Sequence, residues 1–504
     1  MAGIAGIGAG KADLEGMLQR LKYRGPRETW LSPEQYLRLG CCLLPPEMMP
    51  KPRAYARQGA RVAVLDGHVY DTEGRRFADA ELVLSLYERH GPQFVEALDG
   101  DFACAIADGD ELILARDAVG LKPLYYSQRD GEFYFASEAK ALCPVADDIK
   151  EFPPQHMYTS TLGFRGYTPG VEETPDFDTP EQAARILVEL LEHAVEKRMA
   201  DGVPEGVLLS GGLDSSIIAC LARECRPDLK TFTVGLGDGE DRERATEVAR
   251  YLGTKHHEYI YTEREIIEVL PQVIYCLESF EEDCVRGAVA NYFAARLAVQ
   301  HVGCVLTGEG SDEFLGGYHE LKTAEDEAEL QRMMDRLIAV AYNTGLQRLD
   351  RMMAAHSLEF RTPFLDRAVT DFCRKIPAKW KVYGPEQVEK WILRRAFSGR
   401  LPEHIVWRVK RPFAAGAGSS AIMGPLAERL VSSSDFMGHR QTEEGLRLNS
   451  AEELHYYRIF KGSFPQPTLS RLVARWDPAK GSFARNGEFH GQSDQRLRDR
   501  DRQG

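Results

Sequence analysis

Hydrophobic and polar positions follow two different patterns in the two parts of this chain. Over residues 61–142 apolar and polar residues alternate, and Asp-Gly and Gly-Asp pairs interrupt the alternation, which is typical of antiparallel hairpins. The stretch DAELVLSLYERHGPQFVEAL lies among these runs and carries apolar residues at helical spacing. The pattern predicts an α+β domain over residues 1–167, built as a layered β-sandwich.

The pattern changes at residues 168–182, where TPGVEETPDFDTPEQ is acidic, rich in Pro and without periodicity, so we predict a linker. An amphipathic helix begins next, capped by Thr179 with Pro180 in its first position. Apolar strands followed by glycine turns and helices then repeat, as in GVLLSGGLDSSIIACLARE and HVGCVLTGEGSDEFLGGY. This alternation predicts a parallel, doubly wound sheet that binds its ligand at the carboxyl ends of the strands.

The pattern from about residue 325 to residue 462 is helical throughout. We therefore assign residues 183–476 to one α/β domain with added helices. Residues 477–504 are polar and charged, and we predict a disordered tail.

Charge and composition exclude several classes of function. The net charge of −14 argues against broad nucleic-acid binding, which needs a basic face. No apolar stretch is long enough for a membrane span, and the N-terminus lacks the basic and apolar regions of a secretory signal. Ten cysteines without a paired C-x-x-C spacing favour reduced thiols over a zinc site or a disulfide framework. We expect a cytoplasmic protein with no nucleic-acid or membrane partner.

The glycine-rich start, MAGIAGIGAGK, is a candidate nucleotide loop that fails both common templates. A Walker loop needs Gly where Ala5 stands and a hydroxyl where Ala12 stands. The dinucleotide pattern fails because Lys11 occupies the place of its third glycine. The start therefore predicts a buried strand.

The segment Ser210–Ser216, SGGLDSS, carries the strongest chemical signal in the chain. It lies between the apolar strand GVLL and the helix SIIACLARE. Gly211 and Gly212 let the backbone turn tightly and approach an anion, and the helix N-terminus adds N–H donors. The serines add hydroxyl donors, and Asp214 suits a hard cation such as Mg2+. The segment predicts a phosphate-binding loop.

SGGLDSS resembles the pyrophosphate-binding loop of ATP pyrophosphatases, enzymes that split ATP into AMP and pyrophosphate. Further stretches narrow the resemblance to the asparagine synthetase family, over about residues 1–145 and 200–420. They are, in chain order, LDGDFACAIAD, LARDAVGLKPLYY, FASEAKAL, FTVGLGDGEDRERATEVARYLGTKHHE, LTGEGSDEFLGGY, AAHSLEFRTPFLD, EKWILRRAF and LPEHIVWRVKRPF. Members join an N-terminal glutamine-amidotransferase domain of Ntn-hydrolase type to a synthetase domain, so the resemblance implies that architecture here.

The resemblance also implies a reaction and its residues. The family activates a carboxylate as an acyl-adenylate with ATP and Mg2+, releases pyrophosphate and lets an amine attack. Asp214 and Asp312 match its metal-holding aspartates, and Lys410 matches the lysine that closes over the pyrophosphate and acyl oxygens. The residues implied to contact ATP and pyrophosphate are Leu209, Ser210, Gly211, Gly212, Asp214, Ser215, Ser216, Val234, Gly235 and Gly308.

The identity of residue 309, a Glu in TGEGSD, distinguishes attack by a separate amine from intramolecular ring closure. An amine is largely protonated at neutral pH and needs a nearby carboxylate to accept a proton before it attacks. Amide-forming members carry Glu at this position and the related β-lactam synthetases carry Tyr, so Glu309 favours attack by ammonia or another amine. Glu359 and Arg361 are weaker candidates, because an acid–base pair before Pro363 also suits a structural brace. Arg286 resembles a family position near the substrate.

The N-terminal domain departs from the family at its glutaminase site. Working members have Cys where this chain has Ala2, and a methyl group cannot form the thioester. Leu43 stands where the family has the Arg that holds the glutamine carboxylate, and Asp66 with Gly67 replaces the Asn-Gly of the oxyanion hole. Asp79 alone keeps the family residue, which holds the glutamine amine. The resemblance thus implies a domain without glutaminase activity.

Three functions stay open on these residues. The first is an AMP-forming amide synthetase that joins aspartate or a related acid to ammonia or another amine, as a monomer or a homodimer. The second is an intramolecular cyclase of the β-lactam synthetase or lasso-peptide cyclase kind. The third is a non-catalytic scaffold, which the intact SGGLDSS, Glu309, Asp312 and Lys410 oppose.

Overall fold

The computed structural model describes residues 2–8, 13–32, 37–45, 54–70, 80–129, 131–170, 174–237, 239–410, 413–477 and 482–484. We call residues 2–170 the N-terminal part and residues 174–484 the C-terminal part. The N-terminal part has 3₁₀ turns at Lys22–Arg24 and Gly91–Gln93 and the elements β1 (Gly3–Gly8), α1 (Leu14–Leu21), β2 (Glu28–Leu31), β3 (Leu37–Leu43), β4 (Tyr55–Gln58), β5 (Arg61–Tyr70), α2 (Ala80–His90), α3 (Phe94–Ala97), β6 (Asp99–Asp108), β7 (Glu111–Arg116), β8 (Tyr125–Arg129), β9 (Glu132–Ala136), α4 (Ala139–Leu142), β10 (Lys150–Glu151), β11 (His156–Thr159) and β12 (Gly163–Gly166).

The C-terminal part has 3₁₀ turns at His319–Thr323, Ala341–Asn343 and Pro363–Leu365 and continues the numbering. Its elements are α5 (Pro180–Met199), β13 (Gly206–Leu208), α6 (Leu213–Cys225), β14 (Lys230–Gly235), α7 (Glu240–Leu252), β15 (Lys255–Ile260), α8 (Glu263–Leu277), α9 (Glu282–Ala298), β16 (Cys304–Leu306), α10 (Ser311–Leu315), α11 (Glu327–Val340), α12 (Gly345–Ala354), β17 (Glu359–Arg361), α13 (Arg367–Lys375), α14 (Ala378–Lys381), α15 (Trp391–Phe397), α16 (Glu403–Val406), α17 (Phe413–Gly416), α18 (Ser419–Leu430), α19 (Ser433–His439), α20 (Ala451–Ser463), α21 (Pro467–Leu472), β18 (Arg475–Asp477) and β19 (Ser482–Ala484).

Two antiparallel sheets pack against each other in the N-terminal part. Their strand orders are β10-β8-β9-β1-β3-β2 and β12-β11-β7-β6-β5-β4. The predicted hairpins are confirmed, since β6 pairs antiparallel with both β5 and β7. Ile4, Leu43, Val64 and Phe135 form part of the apolar core between the sheets. The predicted α+β layers are therefore present, and the finer Ntn-hydrolase topology stays a prediction.

The glycine-rich start is a strand, as predicted. Every residue of β1 is buried, and β1 pairs with β3 on one side and β9 on the other. Small residues are needed there, because a Cβ at Gly6 would collide with the Phe135 ring and would lie 2.9 Å from Leu39.

A parallel sheet, ordered β15-β14-β13-β16-β17, organises the C-terminal part. The order runs outward from β13 in both directions, and the parallel sheet is confirmed, while its doubly wound topology stays a prediction. The expectation of helix throughout 325–462 is wrong at Glu359–Arg361, which pairs with β16 as β17. Buried Phe360 packs into the core there, and a three-residue strand is too short for its alternation to stand out in the sequence.

The first helix and the last strands of the C-terminal part can be compared with the sequence predictions for these segments. Helix α5 begins at Pro180 with a reciprocal capping box between Thr179 and Gln182, which confirms the predicted start. Strand β19 lies within the segment predicted to be disordered and pairs with β18, with Trp476 in register with Phe483. Disorder of the tail as a whole stays a prediction. Residues 478–481 and 485–504 lie outside the described residues.

One apolar core runs through both parts of the chain. It contains Ala5 and Ala139 of the N-terminal part together with Leu191, Val207 and Leu349 of the C-terminal part. Because their apolar faces are buried against each other, the two parts stabilise one another.

Candidate active site

The SGGLDSS loop connects β13 to α6 and requires its glycines. Gly211 has a φ of +72°, and a Cβ there would lie 2.6 Å from the backbone N of Ala245 and 2.7 Å from the backbone O of Asp241. Gly212 is the N-cap of α6. Since α6 begins at Leu213, its first N–H groups belong to the loop and are suited to an anion.

The three predicted serines cluster on this loop. The backbone N–H of Ser210 donates to Ser215 Oγ at 3.1 Å, and the hydroxyls of these two residues lie 3.0 Å apart. Ser216 Oγ donates to the backbone O of Gly212 at 2.7 Å. Leu209, which precedes the loop, is buried. The loop is thus a compact set of hydroxyl and N–H donors.

A second loop, between β16 and α10, packs directly on the first. A Cβ at Gly308 would lie 2.8 Å from the backbone N of Ser215 and 2.9 Å from Asp214 Cβ, so only glycine permits this approach. Ser311 Oγ donates to Asp214 Oδ1 at 2.6 Å. Because β13 and β16 are parallel neighbours, Asp214 and Asp312 both follow the carboxyl ends of their strands, as predicted.

Two lysines contact the predicted metal-binding aspartates, and one of them, Lys390, bridges the pair. Lys390 Nζ donates to Asp214 Oδ2 at 2.7 Å and contacts Asp312 Oδ1, which Lys410 Nζ also contacts. Although burial opposes it, the carboxylates of Asp214 and Asp312 raise the pKa of Lys390 above its usual value. Burial likewise opposes ionisation of Asp312, but Lys390 and then Lys410 hold the pKa of this carboxyl well below its usual range. The centre therefore consists of two carboxylates and two ammonium groups.

Lys390 is a site residue that sequence reasoning missed. It lies in EKWILRRAF, a stretch used for the family resemblance, but without an assigned role. Its left-handed φ of +55°, just before α15, is a conformation that the sequence pattern does not reveal.

Contacts around α15 hold the segment that carries Lys410. Arg394 donates to the backbone O of Arg408 at 2.8 Å, and Glu389 Oε1 accepts from the backbone N–H of Lys410 at 3.1 Å. Arg408 in turn donates to the backbone O of Gly211 at 3.0 Å. The segment that carries Lys410 is therefore tied to the SGGLDSS loop.

Glu309 has an ion-pair partner that the sequence did not reveal. Arg348 Nη2, on α12, donates to Glu309 Oε1 at 2.9 Å. The guanidinium lies against Gly287 of α9, where a Cβ would be 2.7 Å from Arg348 Nη1. The side chains of Glu309 and Arg348 remain 24% and 16% exposed, so a small ligand can reach them.

Glu313 is a buried carboxylate next to these groups. Its Oε1 accepts from the Tyr318 hydroxyl at 2.6 Å, and its Oε2 accepts no hydrogen bond from any described residue. Burial, then the charges of Asp312 and Glu309, raise the pKa of Glu313 to about 7. No signal in GSDEFL distinguished this residue in the sequence.

Val234 and Gly235, predicted to lie near the adenine, end β14. The backbone N–H of Leu236 donates to the backbone O of Ala417 at 3.3 Å, and Tyr261 Oη donates to the same atom at 2.6 Å. The residues before α18 thus pack over the carboxyl end of β14.

Arg361 and Arg286, the weaker basic candidates, serve structural ion pairs. Arg361 donates to both carboxylate oxygens of Asp201, at 2.9 and 2.6 Å. Arg286 donates to both oxygens of Glu452, at 2.8 and 2.6 Å. Each has its partner outside the loops that carry the aspartate pair.

Ala2 and Asp66 of the altered glutaminase site lie in a filled, charged core. The backbone N–H of Ala2 donates to Asp66 Oδ1 at 3.0 Å, and its backbone O accepts from Arg24 Nε at 3.1 Å. Asp66 Oδ2 accepts from Arg24 Nη2 at 2.8 Å and from Ser137 Oγ at 3.3 Å. Both oxygens of Asp66 are therefore engaged by the protein itself.

Leu43 and Gly67 complete the described part of that site. Leu43 is 3% exposed and packs with Ile4 in the core between the sheets. Gly67 has a φ of +118°, and a Cβ there would collide with the backbone O of Asp101. Asp79 lies outside the described residues.

Buried ion pairs continue from this site into the C-terminal part. Arg24 Nη1 lies 2.8 Å from Asp350 Oδ2, and Arg351 Nη1 lies 2.7 Å from Glu138 Oε1, with all four side chains fully buried. Asp350 and Arg351 belong to α12, the helix that also carries the partner of Glu309. The N-terminal part thus contacts the helix that supports the candidate active site.

Glu359, another weaker candidate, also joins the two parts. His68 Nε2 lies 2.8 Å from Glu359 Oε1. Burial, then the charge of Arg361, hold the pKa of His68 well below its usual value, so the ring is neutral and Nε2–H donates. This contact is structural.

None of the helices among the described residues combines the length and apolar character needed to cross a membrane.

Comparisons with known proteins match both parts. The asparagine synthase family model matches residues 187–328 and 322–458, and the glutamine amidotransferase domain model matches residues 58–144. "Asparagine synthetase [glutamine-hydrolyzing] 2" of Arabidopsis thaliana is 35% identical and the alignment covers 79% of this chain and 73% of that protein. "Asparagine synthetase B [glutamine-hydrolyzing]" of Escherichia coli (strain K12) is 33% identical over 83% of this chain and 82% of that protein. A solved glutamine phosphoribosylpyrophosphate amidotransferase from B. subtilis is 12% identical, covers 82% of this chain and 100% of that chain, and has a TM-score of 0.26, too low to support an argument.

These matches, with the site described above, define an AMP-forming carbon–nitrogen ligase that has a glutamine amidotransferase-like N-terminal domain. The chain belongs to the asparagine synthetase family, which confirms the resemblance found in its sequence.

Proposed function

We propose that this chain is an ATP- and Mg2+-dependent synthetase that adenylates a carboxylate and joins it to ammonia or another amine, without hydrolysing glutamine. The observation that carries the proposal is the meeting of the SGGLDSS loop with Asp312, Glu309 and two lysines at the ends of β13 and β16. The names of the relatives support aspartate or a related acid as the carboxylate.

ATP fits the donors of the phosphate-binding loop. The first N–H groups of α6 and the serine hydroxyls supply donors for phosphate oxygens, and the end of β14 lies beside this loop in the sheet. Mg2+ also fits, because it typically takes one or two carboxylates and completes its shell with phosphate oxygens and water. Lys390 contacts both Asp214 and Asp312, so the two carboxylates are close enough to bind the same cation. When bound, Mg2+ would partly neutralise the negative charge of the phosphates.

The side chains of the site account for both chemical steps. In the first, a carboxylate oxygen of the acid bonds to the α-phosphorus of ATP and the bond to pyrophosphate breaks. Lys410 and Lys390 stabilise the negative charge that leaves with pyrophosphate. In the second, the amine nitrogen bonds to the acyl carbon and the bond to AMP breaks. Glu309 accepts a proton from the amine, and Arg348 orients this carboxylate.

The N-terminal part supports the absence of glutamine hydrolysis. Ala2 offers no nucleophile, and its backbone groups are held by Asp66 and Arg24. A carboxylate at position 66 also opposes an oxyanion, which needs hydrogen-bond donors. The relatives are named as glutamine-hydrolysing enzymes, and under this proposal the chain differs from them in the source of its nitrogen.

Exchange of labelled pyrophosphate into ATP tests the first step without knowledge of the amine. We expect exchange that requires Mg2+ and one acid from an amino-acid panel that includes aspartate. Asp214→Asn should abolish exchange, whereas Asp228→Asn, at an exposed residue, should leave it unchanged. Absence of exchange with every acid would refute the proposal. A product that contains no added amine would identify an intramolecular cyclase instead.

A further inference from the structure

The carboxylates of Glu309 and Glu313 surround a space beside Gly345 that no side chain fills. A Cβ at Gly345 would have Glu309 Oε2, Glu313 Oε1 and Arg348 Nη2 as its nearest neighbours outside its own backbone, each at 3.9 Å. Gly345 is the first residue of α12. The start of this helix therefore leaves room for a small group among three charged side chains.

The charges around this space do not balance. The two lysines of the site are engaged by the two aspartates, and Arg348 is engaged by Glu309 Oε1. The side-chain donor to Glu313 Oε1 is the neutral hydroxyl of Tyr318, and Oε2 accepts no hydrogen bond from the described residues although the residue is 3% exposed. A buried carboxylate is costly unless a cation or further donors reach it.

We propose that the space beside Gly345 binds the amine substrate as a small ammonium group, with Glu313 and Glu309 as its carboxylate ligands. An ammonium has only donors, so it suits the two carboxylates, while the third group at the space, Arg348, already donates to Glu309 Oε1. The inference rests on the proposed function and specifies its nucleophile as ammonium or a compact primary amine. One proton then passes from the ammonium to Glu309, and the neutral amine attacks, while Glu313 is a binding residue.

Two substitutions separate amine binding from the rest of the reaction. Glu313→Gln removes the charge and keeps an acceptor for the Tyr318 hydroxyl. Gly345→Ala places a methyl group in the space, and alanine suits a helix start whose φ is not positive. Gly438→Ala, on α19, is the matched control because a Cβ there meets nothing within 4 Å. Each variant is measured for pyrophosphate exchange and for the KM of ammonium chloride.

We expect Glu313→Gln and Gly345→Ala to raise the KM for ammonium at least tenfold and to change pyrophosphate exchange less than twofold. Gly345→Ala should also raise the KM for methylamine more than the KM for ammonium, because the methyl group of the substrate and the methyl group of the new alanine would occupy the same space. Unchanged KM for ammonium in both variants overturns the inference. A loss of pyrophosphate exchange in Glu313→Gln also overturns it, since Glu313 would then serve the aspartate pair. Failure of the proposed function is distinct, because the wild-type protein would then show no exchange at all.

Discussion

The altered glutaminase site, with Asp66 and Arg24, and the aspartate–lysine site, with Asp214, Asp312, Lys390 and Lys410, are both built from paired acids and bases. They differ in whether a ligand can reach the charges. Asp66 and Arg24 are 0% exposed, and their partners are other groups of the protein. Asp214, Asp312 and Lys410 are 23–26% exposed, and their partners are side chains that a phosphate or a cation can replace. Saturated, buried charges stabilise a structure, whereas exposed charges held by exchangeable partners are available for binding.

The largest effect that separates the two sites is expected at Arg24. Arg24→Met leaves Asp66, Glu138 and Asp350 without their shared cation, so we expect the free energy of unfolding to fall by about 3–5 kcal/mol. Urea unfolding followed by circular dichroism measures this change. The control Arg264→Met alters an exposed ion pair and should unfold at the same urea concentration as the wild type. Equal stability of the two variants would mean that the buried network is not structural.

A substitution of Lys410 tests whether the aspartate–lysine site serves activity and not stability. Lys410→Ala removes a cation from the aspartate–lysine site, which we propose binds phosphate. We expect pyrophosphate exchange to fall about 10²–10³-fold and the free energy of unfolding to stay almost unchanged. Lys255→Ala removes an exposed lysine of β15 and is the control. If Lys410→Ala destabilised the fold and left exchange intact, the assignment of binding and structural roles would be reversed.

A smaller, pH-dependent effect is expected at His68. Its pKa is lower in the folded protein than in the unfolded chain, so the unfolded chain binds more protons as the pH falls below about 6.5. Stability is therefore lost on acidification, by about 2 kcal/mol at most between pH 7 and pH 5. His68→Gln keeps an N–H donor for Glu359 and should remove this part of the pH dependence. Identical pH profiles of the two proteins, measured by urea unfolding, would exclude the effect.

The smallest expected effect concerns the packing of Arg348. Gly287→Ala places a Cβ against this guanidinium and should lower amide formation about tenfold through its partner Glu309, with pyrophosphate exchange preserved. Gly462→Ala, where a Cβ meets nothing within 4 Å, is the control. A parallel loss in exchange would place Arg348 in the first step instead of the second.

The sequence predicted those parts of the molecule that depend on short segments. The glycines and aspartates of SGGLDSS and TGEGSD could be identified from the sequence, because tight turns after strands require particular residue types at fixed spacing. Lys390 and Arg348 were missed, because their roles depend on which distant loop each side chain faces. The same holds for Arg24 and Asp350, which are 326 positions apart in the chain. Strand β17 was missed because three residues carry too little periodicity.

The nitrogen donor that the protein uses shows whether its N-terminal part hydrolyses glutamine. AMP and amide formation should be measured with ammonium chloride or glutamine as the only nitrogen donor, in wild type and in Ala2→Cys. We expect synthesis with ammonium and none with glutamine in either protein, because a thiol alone does not restore the donors that Leu43 and Asp66 have replaced. Glutamine-dependent synthesis by the wild-type protein would contradict this expectation.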